Sequence, residues 1–321
     1  MNSRAEIDAA PDAPDLIPLY RFWQPRYWGL WLTIIVLRLV ALLPFGWQMR
    51  IGQGLGRVAM RLLPKRRRIV DVNLRLCFPE LDEASISALA REHFESLAIG
   101  VVEIGLAWWI SSRRARELVR FEGAENVERA RSRGDNIILL SGHFSCAEMV
   151  GVAAREHVPD LAGMYRPVNN PLADQIVRRA RQRATDHLIP KEGLRQMIRT
   201  IKQGAPMWYA SDQAYDRKYS ALVPFFGVPA MTNCALTHIA RMTNAVVIPF
   251  FPQRRADLSG YDAVFMPPLE SFPTDDAAAD ALRVHHLLEA QIRKAPAQYY
   301  WVHRRFKNRP PPHEDVYANA P

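Results

Sequence analysis

Two hydrophobic rhythms alternate along most of this chain. Residues 137–140 (I-I-L-L) form a short unbroken apolar run, closed by Ser141 and Gly142, as in a strand buried on both faces. Similar runs at 161–165, 207–210, 245–251 and 261–266 predict further strands. Between them the apolar positions fall at helical spacing. The longest such stretch, 82–110, carries Leu89, Phe94, Leu97, Val101, Ile104 and Trp108 on this spacing. Other helices are expected at 144–155, 172–183, 194–203 (stopped by Gly204), 233–241 and 276–294, and a helix ends before Pro79. Residues 223–227 (V-P-F-F-G) read as an apolar loop. Such alternation predicts an α/β fold, a central sheet flanked by helices. Sites in such sheets gather at the carboxyl ends of strands, so 141–143, 165–166 and 211–213 are expected to converge.

The beginning of the chain obeys neither rhythm. Residues 1–19 are rich in Ala, Pro and Asp and are expected to be disordered. Residues 20–47 predict a single N-terminal transmembrane helix. Its centre, 28–43, holds Arg38 as its one charge, and Trp23, Trp28, Trp31 and Trp47 lie near its ends like an aromatic belt. The span is close to the roughly 20 residues that cross a bilayer. Acids precede it, whereas Arg50, Arg57, Arg61, Lys65, Arg66, Arg67 and Arg68 follow, which puts the body of the protein in the cytoplasm. The alternative is a helix lying in the interface with Arg38 outward. Residues 48–309 form the catalytic domain on this reading, and the Pro-rich residues 310–321 a flexible tail.

Charge sharpens the picture. The 321 residues carry a net charge of +9, which calls for an anionic partner. The basic run 65–68, beside an apolar segment, suits anionic headgroups. No helix-turn-helix, zinc or RNA-binding signature supports nucleic acid. Cys77, Cys146 and Cys234 are odd in number and far apart, which excludes a disulfide framework or a C-x-x-C metal site.

The candidate chemistry sits in 136–148, N-I-I-L-L-S-G-H-F-S-C-A-E: strand, tight turn, His143, helix, Glu148. Residues five apart on a regular helix diverge by about 140°. His143 therefore meets Glu148 only from the turn, which Gly142 permits. A His held by a carboxylate at the end of a buried strand is a candidate general base. A hydrolase built on Ser141 or Cys146 lacks the G-x-S-x-G elbow, and Cys146 reads as packing.

Six blocks taken together resemble one family: N-L-R-L-C-F-P-E at 73–80, S-G-H-F-S-C-A-E at 141–148, Y-R-P-V-N-N-P-L at 165–172, S-D-Q at 211–213, V-P-F-F-G at 223–227 and Y-W-V-H-R-R-F-K at 300–307. The chain is similar to the late acyltransferases of lipid A biosynthesis, within the lysophospholipid acyltransferase superfamily. The resemblance implies a glycerol-3-phosphate-acyltransferase-like fold. It also implies a monomeric inner-membrane acyltransferase (of groups other than amino-acyl groups) with its catalytic domain on the cytoplasmic side. It would move a fatty acyl chain from acyl carrier protein to a hydroxyl of a lipid A precursor, without metal or cofactor. The alternative acceptors are another glycolipid, an aminolipid or a lysophospholipid. His143, Glu148 and Arg166 fall on catalytic positions, and Tyr165, Asp212 and Gln213 on substrate-binding ones. Many members carry a second acid and a Gly after the Tyr of the D-Q block, where this chain reads Tyr215-Asp216. His303, Arg304 and Arg305 are expected to form a basic surface near the site. Arg178, Arg179, Arg181 and Arg183 are expected to dock acidic acyl carrier protein.

Overall fold

A computed structural model describes residues 16–214 and 219–318. Tyr215 and Asp216, most of the stretch 1–19, and the last three residues of the tail lie outside the described residues.

Among the described residues, two short 3-10 helices (Leu19–Phe22 and Pro25–Tyr27) are followed by five α-helices: α1 (Trp28–Ala41), α2 (Phe45–Leu62), α3 (Pro64–Cys77), α4 (Glu83–Trp109) and α5 (Ser112–Leu118). The α/β part follows as β1 (Val119–Glu122), α6 (Ala124–Ser132), β2 (Asn136–Ser141), α7 (Ala147–Ala154), β3 (Ala162–Tyr165), α8 (Pro171–Arg181), β4 (His187–Pro190), α9 (Leu194–Lys202) and β5 (Met207–Ala210). After β6 (Ser220–Phe225) and β7 (Val228–Asn233) come α10 (Ala235–Thr243), β8 (Ala245–Arg254), β9 (Tyr261–Phe265) and α11 (Ala277–Lys294). The seven-stranded sheet runs β1-β9-β8-β2-β5-β3-β4. Its strands pair in parallel except at β8–β9. β2 is central, and both its faces are covered. Ile137 and Leu139 pack in the layer that includes α3, α4 and α7, whereas Ile138 and Leu140 pack with α9 and α10. That double burial is why residues 137–140 are continuously apolar. The expected α/β sheet flanked by helices is therefore the observed one.

The N-terminal region departs from expectation. Among the described residues no helix is long and apolar enough to cross a membrane. The predicted span is broken. α1 has 14 residues, about 21 Å at 1.5 Å per residue, short of the roughly 30 Å of a hydrocarbon core. Pro44 stops it, because proline disfavours helix in the residue before it and has no N–H to donate. Gln48 Nε2 then donates to the Leu43 carbonyl left free by the break. α2 is a separate helix laid along α4. A Cβ at Gly56 would stand 2.4 Å from Glu95 Cα and one at Gly52 2.8 Å from Ile99 Cα, so only glycine allows this approach. α1 meets α4 through Leu37, which faces Gly105, and leaves Leu32, Ile35, Val36 and Leu39 exposed. Residues 16–19, expected to be disordered, are held: Ile17 N donates to Gln175 Oε1 and its carbonyl accepts from Arg179.

Two smaller differences concern the other end. The predicted apolar loop at 223–227 is largely strand β6, paired antiparallel with β7. The expected flexible tail is anchored by Tyr317, which is 1% exposed. Its hydroxyl donates to Asn73 Oδ1 and accepts from Phe306 N.

Candidate active site

β2 ends at Ser141, and the chain must turn at once to begin α7. At Gly142 a Cβ would come within 2.6 Å of Leu288 Cδ1, so the turn is tight against α11. His143 stands in this turn, four residues before α7 begins, not in the helix itself. A second segment holds the turn from the outside. Phe144 bridges Tyr299, Ser145 N donates to the Gln298 carbonyl, and Tyr300 N donates to the His143 carbonyl.

The carboxylate that meets His143 is Asp212, on the segment just after β5. Asp212 Oδ1 lies 2.6 Å from His143 Nδ1, and Asp212 Oδ2 accepts from the His143 backbone N at 2.8 Å. β5 pairs directly with β2, Ser141 opposite Ala210, which sets the two strand ends side by side. Asp212 is 2% exposed, whereas the His143 side chain is 35% exposed. Burial pushes the Asp212 carboxyl up, but the charge of His143 and the hydrogen bonds from its ring and backbone outweigh it, leaving a value of about 2. Burial likewise opposes the charged form of His143, and the Asp212 charge and hydrogen bond outweigh it, so its pKa is raised. An ionised Asp212 can only accept, so Nδ1 carries the proton and Nε2 is left free to take one from a substrate.

Glu148 does not meet His143. Its carboxylate lies 3.4 Å from Arg181 Nη2, on the first turn of α7 facing α8. Of the other expected site residues, Gln213 is exposed beside Asp212 and lines one small pocket with His143 and Asp212. Tyr165 is buried at the end of β3, and Arg166 follows it, exposed. The sheet thus brings the ends of β2, β3 and β5 to one edge, with His143 and Asp212 in contact.

Asn73, Tyr299, Tyr300 and Trp301 were not expected to line the site, and together with His303 and Arg305, which were expected near it, they complete the pocket. The N-L-R-L-C-F-P-E block holds the signal for Asn73, whose Nδ2 donates to the carbonyls of Trp301 and His303. The expected basic surface at 303–305 is not there as such. Arg305 is 2% exposed and donates to the Met231 carbonyl and to Thr232 Oγ1. His303 accepts from Ala214 N, and burial with the charges of Lys307 and Arg305 pushes its pKa down to about 4, so it is neutral. The expected arginine docking cluster is also spent internally. Arg178 is buried, Arg179 donates to the Ile17 carbonyl, Arg181 to the Met164 carbonyl, and Arg183 to the Trp108 and Ile110 carbonyls. Cys146 is fully buried and burial pushes its thiol up to about 12, which suits packing and not nucleophilic attack.

An imidazole held from behind by a buried aspartate, at the carboxyl edge of an α/β sheet, is an arrangement that can act as a general base once the ring is neutral. Residues 19–308 match the family model described as bacterial lipid A biosynthesis acyltransferase. Curated relatives agree. The chain is 38% identical to the lipid A biosynthesis lauroyltransferase of Escherichia coli (strain K12), over 89% of this chain and 94% of that protein. It is 34% identical to the palmitoleoyltransferase of the same strain (92% and 96% covered) and 27% identical to its myristoyltransferase (90% and 90%). Among solved structures, the 1-acyl-sn-glycerophosphate acyltransferase PlsC from Thermotoga maritima is similar at 13% identity and a TM-score of 0.38, covering 75% of this chain and 99% of that one. The chain belongs to the bacterial lipid A biosynthesis acyltransferase family, and it is an acyltransferase.

Proposed function

We propose that this enzyme transfers a fatty acyl chain from acyl carrier protein to a hydroxyl of a lipid A precursor, with His143 as general base and Asp212 as its orienting partner. The observation that carries this reading is the 2.6 Å contact between His143 Nδ1 and Asp212 Oδ1. An alcohol is a weak nucleophile, so its proton must leave as its oxygen attacks the thioester carbonyl. His143 Nε2 takes that proton. Asp212 keeps the ring in the correct tautomer and stabilises the imidazolium. The carbon–sulfur bond then breaks, and the imidazolium returns the proton to the departing thiolate. The intermediate's oxyanion takes its donor from Arg166 or from backbone N–H groups at the start of α7. A thioester is already activated, and the chemistry as written needs no further group.

Attachment to the cytoplasmic face of the inner membrane is assigned to α1 and α2 lying in the interface. Supporting this are the exposed Leu32, Ile35 and Leu39 of α1, Leu55, Val58 and Leu62 of α2, and the arginines beside them. The test is initial acyl transfer from loaded acyl carrier protein to a purified lipid A precursor. His143→Ala should lose about 10²–10⁴-fold while remaining folded and membrane-bound. Near wild-type transfer by that variant would end the proposal. Turnover only with a lysophospholipid or an aminolipid would reassign the acceptor.

A further inference from the structure

The two arginines at 304–305 part company. Arg304 is exposed, its guanidinium 5.6 Å from the centre of the Tyr317 ring. Arg305 turns inward and is 2% exposed. Every hydrogen-bond partner it has is neutral. It donates to the Met231 carbonyl and to Thr232 Oγ1 of β7, and through Nη2 to His285 Nε2 of α11 at 3.1 Å. His285 can accept there because its Nδ1 donates to the Pro224 carbonyl at 2.6 Å. Burial and the Arg305 charge push its pKa down to about 3, which keeps the ring neutral. The Phe225 ring lies 5.0 Å from the guanidinium, and Arg305 Nε has no hydrogen-bond partner. Among the described residues no carboxylate pairs directly with Arg305.

A cation held this deep is costly unless an anion shares its surroundings. The anion that does so is Asp212, which is also 2% exposed. Both residues line, with His143, a pocket of about 10 Å³, room for about one water. Bulk solvent does not separate them, so each charge acts on the other through the protein at a low effective dielectric. Burial lowers the Arg305 pKa, and the Asp212 charge is among the influences that oppose it.

Asp212 has a matching need. When His143 is neutral and ready to take a proton, no group in direct contact with the Asp212 carboxylate carries a positive charge. The other titratable groups around the pair do not supply one. His285 is neutral, and burial first of all keeps His303 neutral as well. Tyr299 and Cys77 are buried, and burial pushes both pKa values up, so neither is charged. Arg181 of α8 is taken up by Glu148 of α7, and Lys307 is partly exposed to solvent.

We infer that Arg305 is the fixed counter-charge of Asp212, a positioning residue that keeps the carboxylate ionised while His143 is neutral. The inference rests on the general-base reading above. With Arg305 in place, Asp212 does not need a proton on His143 to balance its charge. Without Arg305 that proton would be the balancing charge, and His143 would hold it to higher pH.

The experiment uses the full chain in mild detergent. Diethyl pyrocarbonate modifies only a neutral imidazole, so its rate at His143, followed by peptide mass spectrometry across pH, titrates the ring without any acyl substrate. The acid limb of kcat/KM for acyl transfer is read in parallel. Arg305→Gln keeps hydrogen-bond donors and removes the charge. It should move both midpoints to higher pH by on the order of one unit, which slows modification below the wild-type midpoint about tenfold. Arg305→Lys keeps the charge and should leave both midpoints near the wild-type values, even where lost hydrogen bonds lower stability. Arg305→Met takes the place of Arg305→Gln if that variant does not fold. A folded neutral variant with the wild-type midpoint would overturn the inference. So would an Arg305→Lys that shifts as far as Arg305→Gln, because hydrogen bonding and not charge would then be at work. A midpoint that moves in the modification assay, with no acid limb of transfer in any of the proteins, would keep Arg305 as the counter-charge and strike the general-base reading itself.

Discussion

Removing the Glu103 carboxylate should be among the most damaging single changes outside the His143–Asp212 pair. Arg254, at the end of β8, donates through Nε and Nη2 to both Glu103 oxygens, each at 2.6 Å. The two side chains are 2% and 1% exposed. Tyr261 OH also donates to Glu103, and Arg254 Nη1 donates to Ser96 Oγ. Burial disfavours the charged guanidinium, but the Glu103 charge and hydrogen bonds outweigh it and hold its pKa above the usual value. Glu103→Gln keeps the volume and removes the charge, leaving a cation in the interior with only neutral acceptors. Breaking such a pair from one side costs about 3–5 kcal/mol, against a total stability of about 5–15 kcal/mol for a typical domain. The pair also touches the turn that carries His143, because Arg254 Nη2 lies 3.4 Å from Ser145 Oγ. Chemical denaturation followed by tryptophan fluorescence measures the loss. Glu103→Leu combined with Arg254→Met should recover most of it, since an apolar replacement leaves no orphaned charge. A loss below about 1 kcal/mol for Glu103→Gln, on the scale of an exposed pair, would mean that the guanidinium reaches water, and the interior-charge reasoning would be wrong.

Other outcomes follow from the same geometry. Glu148→Gln should change stability by less than about 1 kcal/mol, because its pair with Arg181 is about a third exposed; its pH–rate profile should keep the wild-type acid limb, which a shifted limb would contradict. Leu55→Asp with Leu62→Asp should weaken flotation on anionic lipid vesicles at least tenfold, since burying one Leu is worth about 1.5–3 kcal/mol; unchanged flotation would remove α2 from the interface. Tyr317→Phe should cost about 1–3 kcal/mol by leaving the buried Phe306 N–H without its acceptor; an unaltered denaturation midpoint would show that the tail is not an anchor.

The sequence carried the sheet because β2, β5 and β8 are buried enough to write their own apolar runs. It missed β4 (H-L-I-P), which is short and begins polar, and it misjudged β6, whose Pro224 argues against a strand unless it lies in a two-stranded ribbon. The transmembrane expectation failed because hydropathy over 28–43 says nothing of the Pro44 break or of Gly52 and Gly56 drawing α2 onto α4. His143 was legible from the strand, turn and helix around it. Its partner was not. Glu148 is visible at a local spacing, whereas Asp212 lies 69 residues away and meets His143 only because β5 pairs with β2. The expected convergence of strand ends did include Asp212, whereas its role as a substrate contact was only what the family resemblance implied.

The pH dependence of kcat/KM in Asp212→Asn tests the central claim most directly. In the wild type Asp212 is ionised at every working pH, and it raises the pKa of His143. Activity should therefore fall as pH drops through that raised value, where His143 becomes protonated and can no longer accept a proton. Asp212→Asn removes the opposing charge and leaves burial as the dominant influence, which lowers a His pKa. The acid limb should move to lower pH, and the plateau should drop by about 10²–10⁴-fold as the tautomer is lost. An acid limb that stays in place with a near wild-type plateau would contradict the account, because His143 would then owe neither its proton affinity nor its orientation to Asp212.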